Sequence, residues 1–227
     1  MSERKLHIIK TEDGSNSLYV PELKETYHSF HGAVQESRHV FIEHGLTFFN
    51  SCTRKEPIKI LEVGLGTGLN ALLVTEWAYK ARLNVEMTSL EAYPVAVEMA
   101  LSLNHADYIK VDSANEWFAQ IHKSPWGKLE NISDHFKLQK IESKLEEVAL
   151  KNDFDVVFFD AFAPNKQSEL WELPILKKTY EALCKSGVFV TYCAKGQLKR
   201  DLKSLGFEVE TLVGPPGKKE MVRGVKA

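Results

Sequence analysis

Three acids and a run of glycines are the residues of this chain best suited to chemistry. Asp160 opens the stretch DAFAPNKQSELW (160–171), directly after FDVVFF (Phe154–Phe159), which is apolar except for Asp155. Glu62 stands two residues before Gly64 in IKILEVGLGTGLN (58–70), where glycines recur at 64, 66 and 68. Glu91 follows a third run, Val85–Leu90. An apolar run, a glycine turn and a helix build a nucleotide pocket, because glycine lets the backbone approach a ligand that a side chain would exclude. A dinucleotide site would place its third glycine at position 69, which is Leu69. Glycines at every second position, with an acid just ahead, suit S-adenosylmethionine instead. That donor carries an ammonium that favours a carboxylate, and it has no phosphate to hold at a helix N-terminus. Thr67 and Asn70, within the same turn, complete the expected donor contacts. An acid at the tip of the next strand, here Glu91, hydrogen-bonds ribose hydroxyls. This feature alone serves a methyl donor and NAD equally.

Asp160 is the candidate for catalysis. Methyl transfer from a sulfonium is an in-line displacement, so an amine acceptor must present a free lone pair. A positioned carboxylate can orient the amine N–H groups and take up the released proton. An ionised acid also favours the protonated amine, which works against attack. Phe162 offers a ring face to a planar or cationic group, and Pro164 stiffens the loop. A strand-end turn or helix cap is the structural alternative for Asp160.

These residues need a scaffold. From Ile58 onward strands and helices alternate, as in a parallel sheet covered on both faces. The expected strands are 58–63, 85–90, 136–141, 154–159 and 188–192. Helices are expected at 69–82, 95–103, 113–121, 143–150, 174–184 and 197–205, with Gly187 and Gly206 at the exits of the last two. The connection 104–134 is long, and is expected to carry an extra helix and line one side of the pocket. Phe207–Val213, GPPGK and Glu220–Lys226 form a C-terminal hairpin. The expected fold is α/β, a Rossmann-like S-adenosylmethionine-dependent methyltransferase with a mainly parallel seven-stranded sheet. Residues 1–52 form a cap of hairpin (6–10 with 17–20) and helix (33–43) on a main domain, 53–227.

The chain has 227 residues, 44% hydrophobic, with 29 basic against 31 acidic side chains. That balance argues against an indiscriminate nucleic-acid binder and leaves room for a local basic face. No apolar run approaches about 18 residues, and MSERKLHIIK has no signal core. Cys52, Cys184 and Cys193 form no CxxC pair, which fits a reducing cytoplasm. The eight histidines complete no metal-ligand spacing and are expected as polar surface residues. Neither a metal nor a membrane is expected.

With these residues in view, the chain resembles the methyltransferase part of the MnmC family, and more closely its stand-alone, MnmD-type form. The matching stretches are 13–46 (DGSNSLYVPELKETYHSFHGAVQESRHVFIEHGL), 60–73, 155–171, 191–209 and 217–224. The DAFAP loop and GAVQESRHVF are far more specific than the glycine turn. No FAD-binding half is matched, so no FAD is expected. The resemblance implies methylation of the 5-aminomethyl group of the tRNA wobble uridine, often 2-thiolated. It places Asp160 at the amine, with Glu62, Gly64, Gly66, Gly68 and Glu91 on the donor, and Tyr27 and Glu36 closing over the site. A packed tyrosine and a surface acid are the structural alternatives for those two. Where the family has an acid reading the adenine, this chain has Ser143, with Glu142 as the expected substitute. A tRNA substrate needs cations. Lys166, Lys195, Lys199, Arg200, Lys218, Lys219 and Arg223 are the expected patch, with Lys195 also at the substrate; solvated lysines are the alternative. No obligatory protein partner is expected. Methyl or aminopropyl transfer to a free small-molecule amine, and a non-catalytic RNA-binding protein on the same fold, are the competing readings.

Overall fold

The computed structural model describes residues 5–227; Met1–Arg4, the start of the segment read for a signal core, lie outside them. A small antiparallel sheet comes first, of β1 (His7–Lys10), β2 (Asn16–Val20) and β3 (Glu25–Thr26). A long helix follows, α1 (Ala33–Ser37), a π-helical stretch Arg38–Thr47, and α2 (Phe48–Cys52). Its Phe41 ring lies 5.2 Å from Phe158. The backbone at Gly45 runs so close to the sheet that a Cβ would meet Val190 and Phe158 at 3.0–3.1 Å. This helix therefore shares the main hydrophobic core.

The main sheet is built from β4 (Ile58–Val63), β5 (Val85–Glu91), β6 (Leu129–Ser133), β7 (Phe136–Glu142), β8 (Phe154–Phe159), β9 (Leu183–Thr191), β10 (Phe207–Val213) and β11 (Glu220–Lys226). Its order is β10-β11-β9-β8-β4-β5-β7-β6. The five central strands are parallel; β11 on one side and β6 on the other run antiparallel to them, and the edge strand β10, antiparallel to β11, runs with the central five again. The helices are α3 (Leu69–Ala81), α4 (Val97–Leu101), α5 (Ala114–Lys123), α6 (Leu173–Ala182) and α7 (Gly196–Leu205). The period-2 alternation of the strands feeds two cores. Ile58, Ile60 and Phe158 pack under the N-terminal helix, α3 and α5; Leu61, Val63, Phe159 and Phe189 pack on the face with Leu176, Leu198 and Leu202. Strand order reverses between β4 and β8, so a crevice opens above their carboxyl ends, where ligands bind in open α/β sheets.

Four expectations change. The sheet has eight strands rather than seven, because β6 within the long connection adds an edge. No helix forms at 143–150: a turn at Leu145–Glu147 stands there. Leu145, Val148 and Leu150 join the second core instead, a case of packing overriding helix propensity. The first helix runs well past 43, to Cys52. Helix α6 stops at Ala182, so Gly187 lies inside β9 and not at a helix exit.

Candidate active site

A cavity of about 370 Å³ opens above the carboxyl ends of β4, β5, β7 and β8. Its floor is the glycine turn. Gly64 and Gly66 hold left-handed backbone, φ 95° and 51°, and a Cβ at Gly66 would meet the Tyr27 ring at 3.0–3.2 Å. Gly68, also left-handed, caps the start of α3 behind the cavity wall. Glu91 Oε2 accepts from the Gly66 amide at 2.9 Å and Oε1 from the Tyr93 amide at 2.8 Å. Each oxygen keeps a lone pair for a ribose hydroxyl.

Asp160 sits opposite. Its amide bonds the Val63 carbonyl at 3.1 Å, and Asn70 Nδ2 donates to its Oδ2 at 2.8 Å. The following loop is pinned by two ring groups. Tyr192 donates its hydroxyl to the Ala161 carbonyl at 2.8 Å, and Trp171 Nε1–H donates to the Phe162 carbonyl at 2.8 Å. Burial pushes the Asp160 carboxyl up to about 7, with Glu36 adding to the rise and Asn70 and Lys218 opposing it. Poised there, it can exchange a proton near neutral pH. Tyr27 and Phe162 meet edge to face at 5.1 Å on the cavity wall. Glu36 is buried, accepts from the Ser29 amide at 2.9 Å, and pairs with Lys218.

Glu62 is a correction. It continues the row Ile58–Ile60, so the strand's alternation turns it under the floor and not onto the wall. Ser89 donates to its Oε2 at 2.6 Å, and burial raises its carboxyl to about 8, partly opposed by that bond. The acceptor left open on the wall is Asn70 Oδ1, buried and without a partner among the described residues. That orphan, the close backbone at Gly66 and the carboxylate at Glu91 fit the ammonium and ribose of S-adenosylmethionine. Glu142 is a second correction: it is exposed at the end of β7, and Ser143, Lys144, Leu145 and Glu146 line the cavity.

The connection 104–134 does not line the cavity; it braces the turn from below. Three buried histidines converge on Thr67. His28 Nε2 and His105 Nε2 lie 2.7 and 3.1 Å from its hydroxyl, and His122 Nε2–H donates to its carbonyl at 3.1 Å. These three are not surface residues, as the sequence reading had them. Burial holds His28 and His122 down at about 4, and His105 well below its ordinary value, so all three stay neutral near pH 7. Replacing Thr67 by Val strands both imidazoles, at a cost of about 1–3 kcal/mol. Donor affinity should fall about tenfold by calorimetry.

The expected basic patch is rearranged. Arg223 is buried, pairs with Glu210 at 2.8 Å and lies 3.4 Å over the Phe48 ring. Lys199 pairs with Glu220 at 2.9 Å. Lys166 donates to the Leu23 carbonyl at 2.8 Å, tying the Asp160 loop to the N-terminal sheet. Lys218 turns into the cavity. Lys195, Arg200 and Lys219 remain exposed. Lys195 and Pro164 are absent from the cavity wall. Tyr192 is a wall residue that sequence reasoning missed; its place just beyond an apolar strand, level with Asp160, was the available signal.

Residues 91–227 match a family described as S-adenosyl-L-methionine-dependent methyltransferase. The tRNA 5-methylaminomethyl-2-thiouridine biosynthesis bifunctional protein MnmC of Marinomonas sp. (strain MWYL1) is 30% identical over 226 residues, covering 94% of this chain and 32% of that protein. The protein of the same name from Methylobacillus flagellatus is 27% identical, covering 91% and 33%. The chain thus spans about a third of the length of these relatives. The crystal structure of MNMC2 from Aquifex aeolicus superposes with a TM-score of 0.75 at 26% identity, over 98% of this chain and 71% of that one. No described helix is long and apolar enough to cross a membrane. The chain belongs to the S-adenosyl-L-methionine-dependent methyltransferase family, in its MnmC methyltransferase-domain branch.

Proposed function

We propose that this methyltransferase transfers the methyl group of S-adenosylmethionine to the primary amine of a 5-aminomethyl-uridine at the tRNA wobble position, with or without a 2-thio group. The product is the 5-methylaminomethyl nucleoside. The observation that carries this is the Asp160 carboxylate, oriented by Asn70 and opening into the cavity that the glycine turn floors. The amine lone pair forms the new N–C bond as the C–S bond breaks, and sulfur keeps the electron pair. The secondary ammonium then yields a proton to Asp160. Gly64, Gly66, Thr67, Asn70 and Glu91 hold the donor. Phe162 and Tyr27 flank the acceptor, whose base is turned out of its stack to reach them. The names of the matched relatives support the tRNA substrate.

Tritium transfer from labelled donor to tRNA lacking only this methyl group, followed by nucleoside analysis, tests the reading. Label in 5-methylaminomethyl-uridine is expected. Label only in free small amines would favour a small-molecule acceptor, and no transfer with tRNA still bound would favour an RNA-binding protein. Phosphate contacts fall to the exposed cations. Replacing Lys195, Arg200 and Lys219 together by Ala should raise the apparent KM for tRNA at 0.15 M salt by about tenfold. The triple variant should also flatten the salt dependence by up to about three charges. The parent's salt slope, unchanged, would remove this face from the account.

A further inference from the structure

The terminal hairpin places a cation where the proposed chemistry needs one. Lys218 lies in the tight turn between β10 and β11, where its amide bonds the Pro215 carbonyl at 2.9 Å. Its side chain runs inward and is half-buried. The ammonium pairs with Glu36 of α1 and lies 4.3 Å from the centre of the Tyr192 ring. Tyr192 in turn holds the Ala161 carbonyl, next to Asp160. Lys218, Glu36, Tyr192 and Asp160 line one cavity.

An acceptor amine at Asp160 would face Glu25 and Glu36 on the same wall. Each carboxylate favours the ammonium, which has no lone pair and cannot attack. We propose that Lys218 is the opposing charge that keeps the acceptor amine unprotonated beside Asp160, a role that rests on the amine-methylation reading. A cation close to an amine lowers the amine's pKa, as it does for reactive lysines beside a second cation. The incoming R–NH3+ gives its proton to water at the open mouth, and R–NH2 attacks the methyl carbon as the sulfur leaves. The product R–NH2+–CH3 then gives one proton to Asp160.

The groups facing Lys218 are few. Glu36 comes from α1, Asp160 follows β8, and Tyr192 and Cys193 follow β9. His28 lies in the turn after β3 and is kept neutral by burial. Glu25 is on the same wall. Lys219 and Glu220 are its neighbours on the hairpin, and His31 packs against Gly217.

The test is the pH profile of kcat/KM for aminomethyl-tRNA in three variants, Lys218→Met, Lys218→Arg and Glu36→Gln, between pH 6.5 and 10. Lys218→Met should move the rising limb alkaline by about one unit or more, with the rate recovering toward the parent's at high pH. Lys218→Arg, which stays charged, should keep the parent's limb. Glu36→Gln should move the limb acid, so the proposal stays testable even if Lys218→Met folds poorly. Donor affinity by calorimetry should change less than threefold in each. A Lys218→Met profile lowered equally at every pH, or unmoved, overturns the assignment and leaves an RNA-contact or packing role. A parent protein that methylates no aminomethyl-tRNA overturns the functional reading itself, and this inference with it.

Discussion

Asp160→Asn should lower kcat by about 10²–10⁴-fold, the range of a lost general acid–base partner, while donor binding by calorimetry changes little. The amide can still accept from Asn70 Nδ2, so the loop geometry survives. The same variant should be more stable than the parent at alkaline pH. Asp160 ordinarily titrates near 3.8, and in the folded protein near 7, so folding takes up a proton between those values. The stability this group contributes is complete below about pH 4 and is lost as pH rises through 7. Asparagine has nothing to lose. Thermal melts should therefore show the variant a few degrees above the parent at pH 8.5, with the gap closing toward pH 4.5. Equal melting temperatures at pH 8.5 would mean that the carboxyl is not held protonated by its surroundings.

Gly64→Ala should reduce donor affinity by about a hundredfold or more. The residue holds φ at 95°, and a Cβ there would lie 2.8 Å from the carbonyl oxygen of Asp160. Left-handed backbone costs a β-carbon about 1–3 kcal/mol. The obstacle is main chain, so no side chain can swing aside. The β4 turn and the β8 loop must separate, which moves the donor floor and the catalytic acid together. Gly127→Ala is the control: its φ is 79°, but the added carbon meets nothing within 4 Å. That variant should lose stability without losing donor affinity. Calorimetric titration of both with S-adenosylmethionine separates local strain from site geometry, and intact affinity in Gly64→Ala would contradict the placement of the donor on this turn.

The parallel strands were legible because each is a short stretch rich in β-branched and aromatic residues, and FDVVFF (154–159) followed by Asp160 is the clearest. The terminal hairpin was legible from its GPPGK turn, and β10 and β11 match the expected bounds. Glu62 was misplaced for want of one step. Its parity with Ile58 and Ile60 already turns it toward the covered face. The helix expected at 143–150 failed because its apolar residues serve the second core from a turn. The histidine cluster could not be read from spacing. His28, His105 and His122 come from a turn, a 3₁₀ segment and α5, far apart in the chain, and only the fold brings them to Thr67. The rearrangement of the basic patch was hidden for a similar reason. A lysine's position on a hairpin does not reveal that its ammonium turns inward to Glu36 or, for Arg223, that it lies over a phenylalanine ring.

A crystal structure with S-adenosylmethionine bound tests the central claim most directly. The account predicts the adenosyl ribose at Glu91, the methionine end over the glycine turn, and the methyl carbon facing Asp160. About 3 Å from methyl carbon to nitrogen and about 3 Å from nitrogen to carboxylate put the carboxylate roughly 4–6 Å from that carbon. A methyl group pointing away from Asp160, or a carboxylate too close or too distant to admit a nitrogen between them, would contradict it.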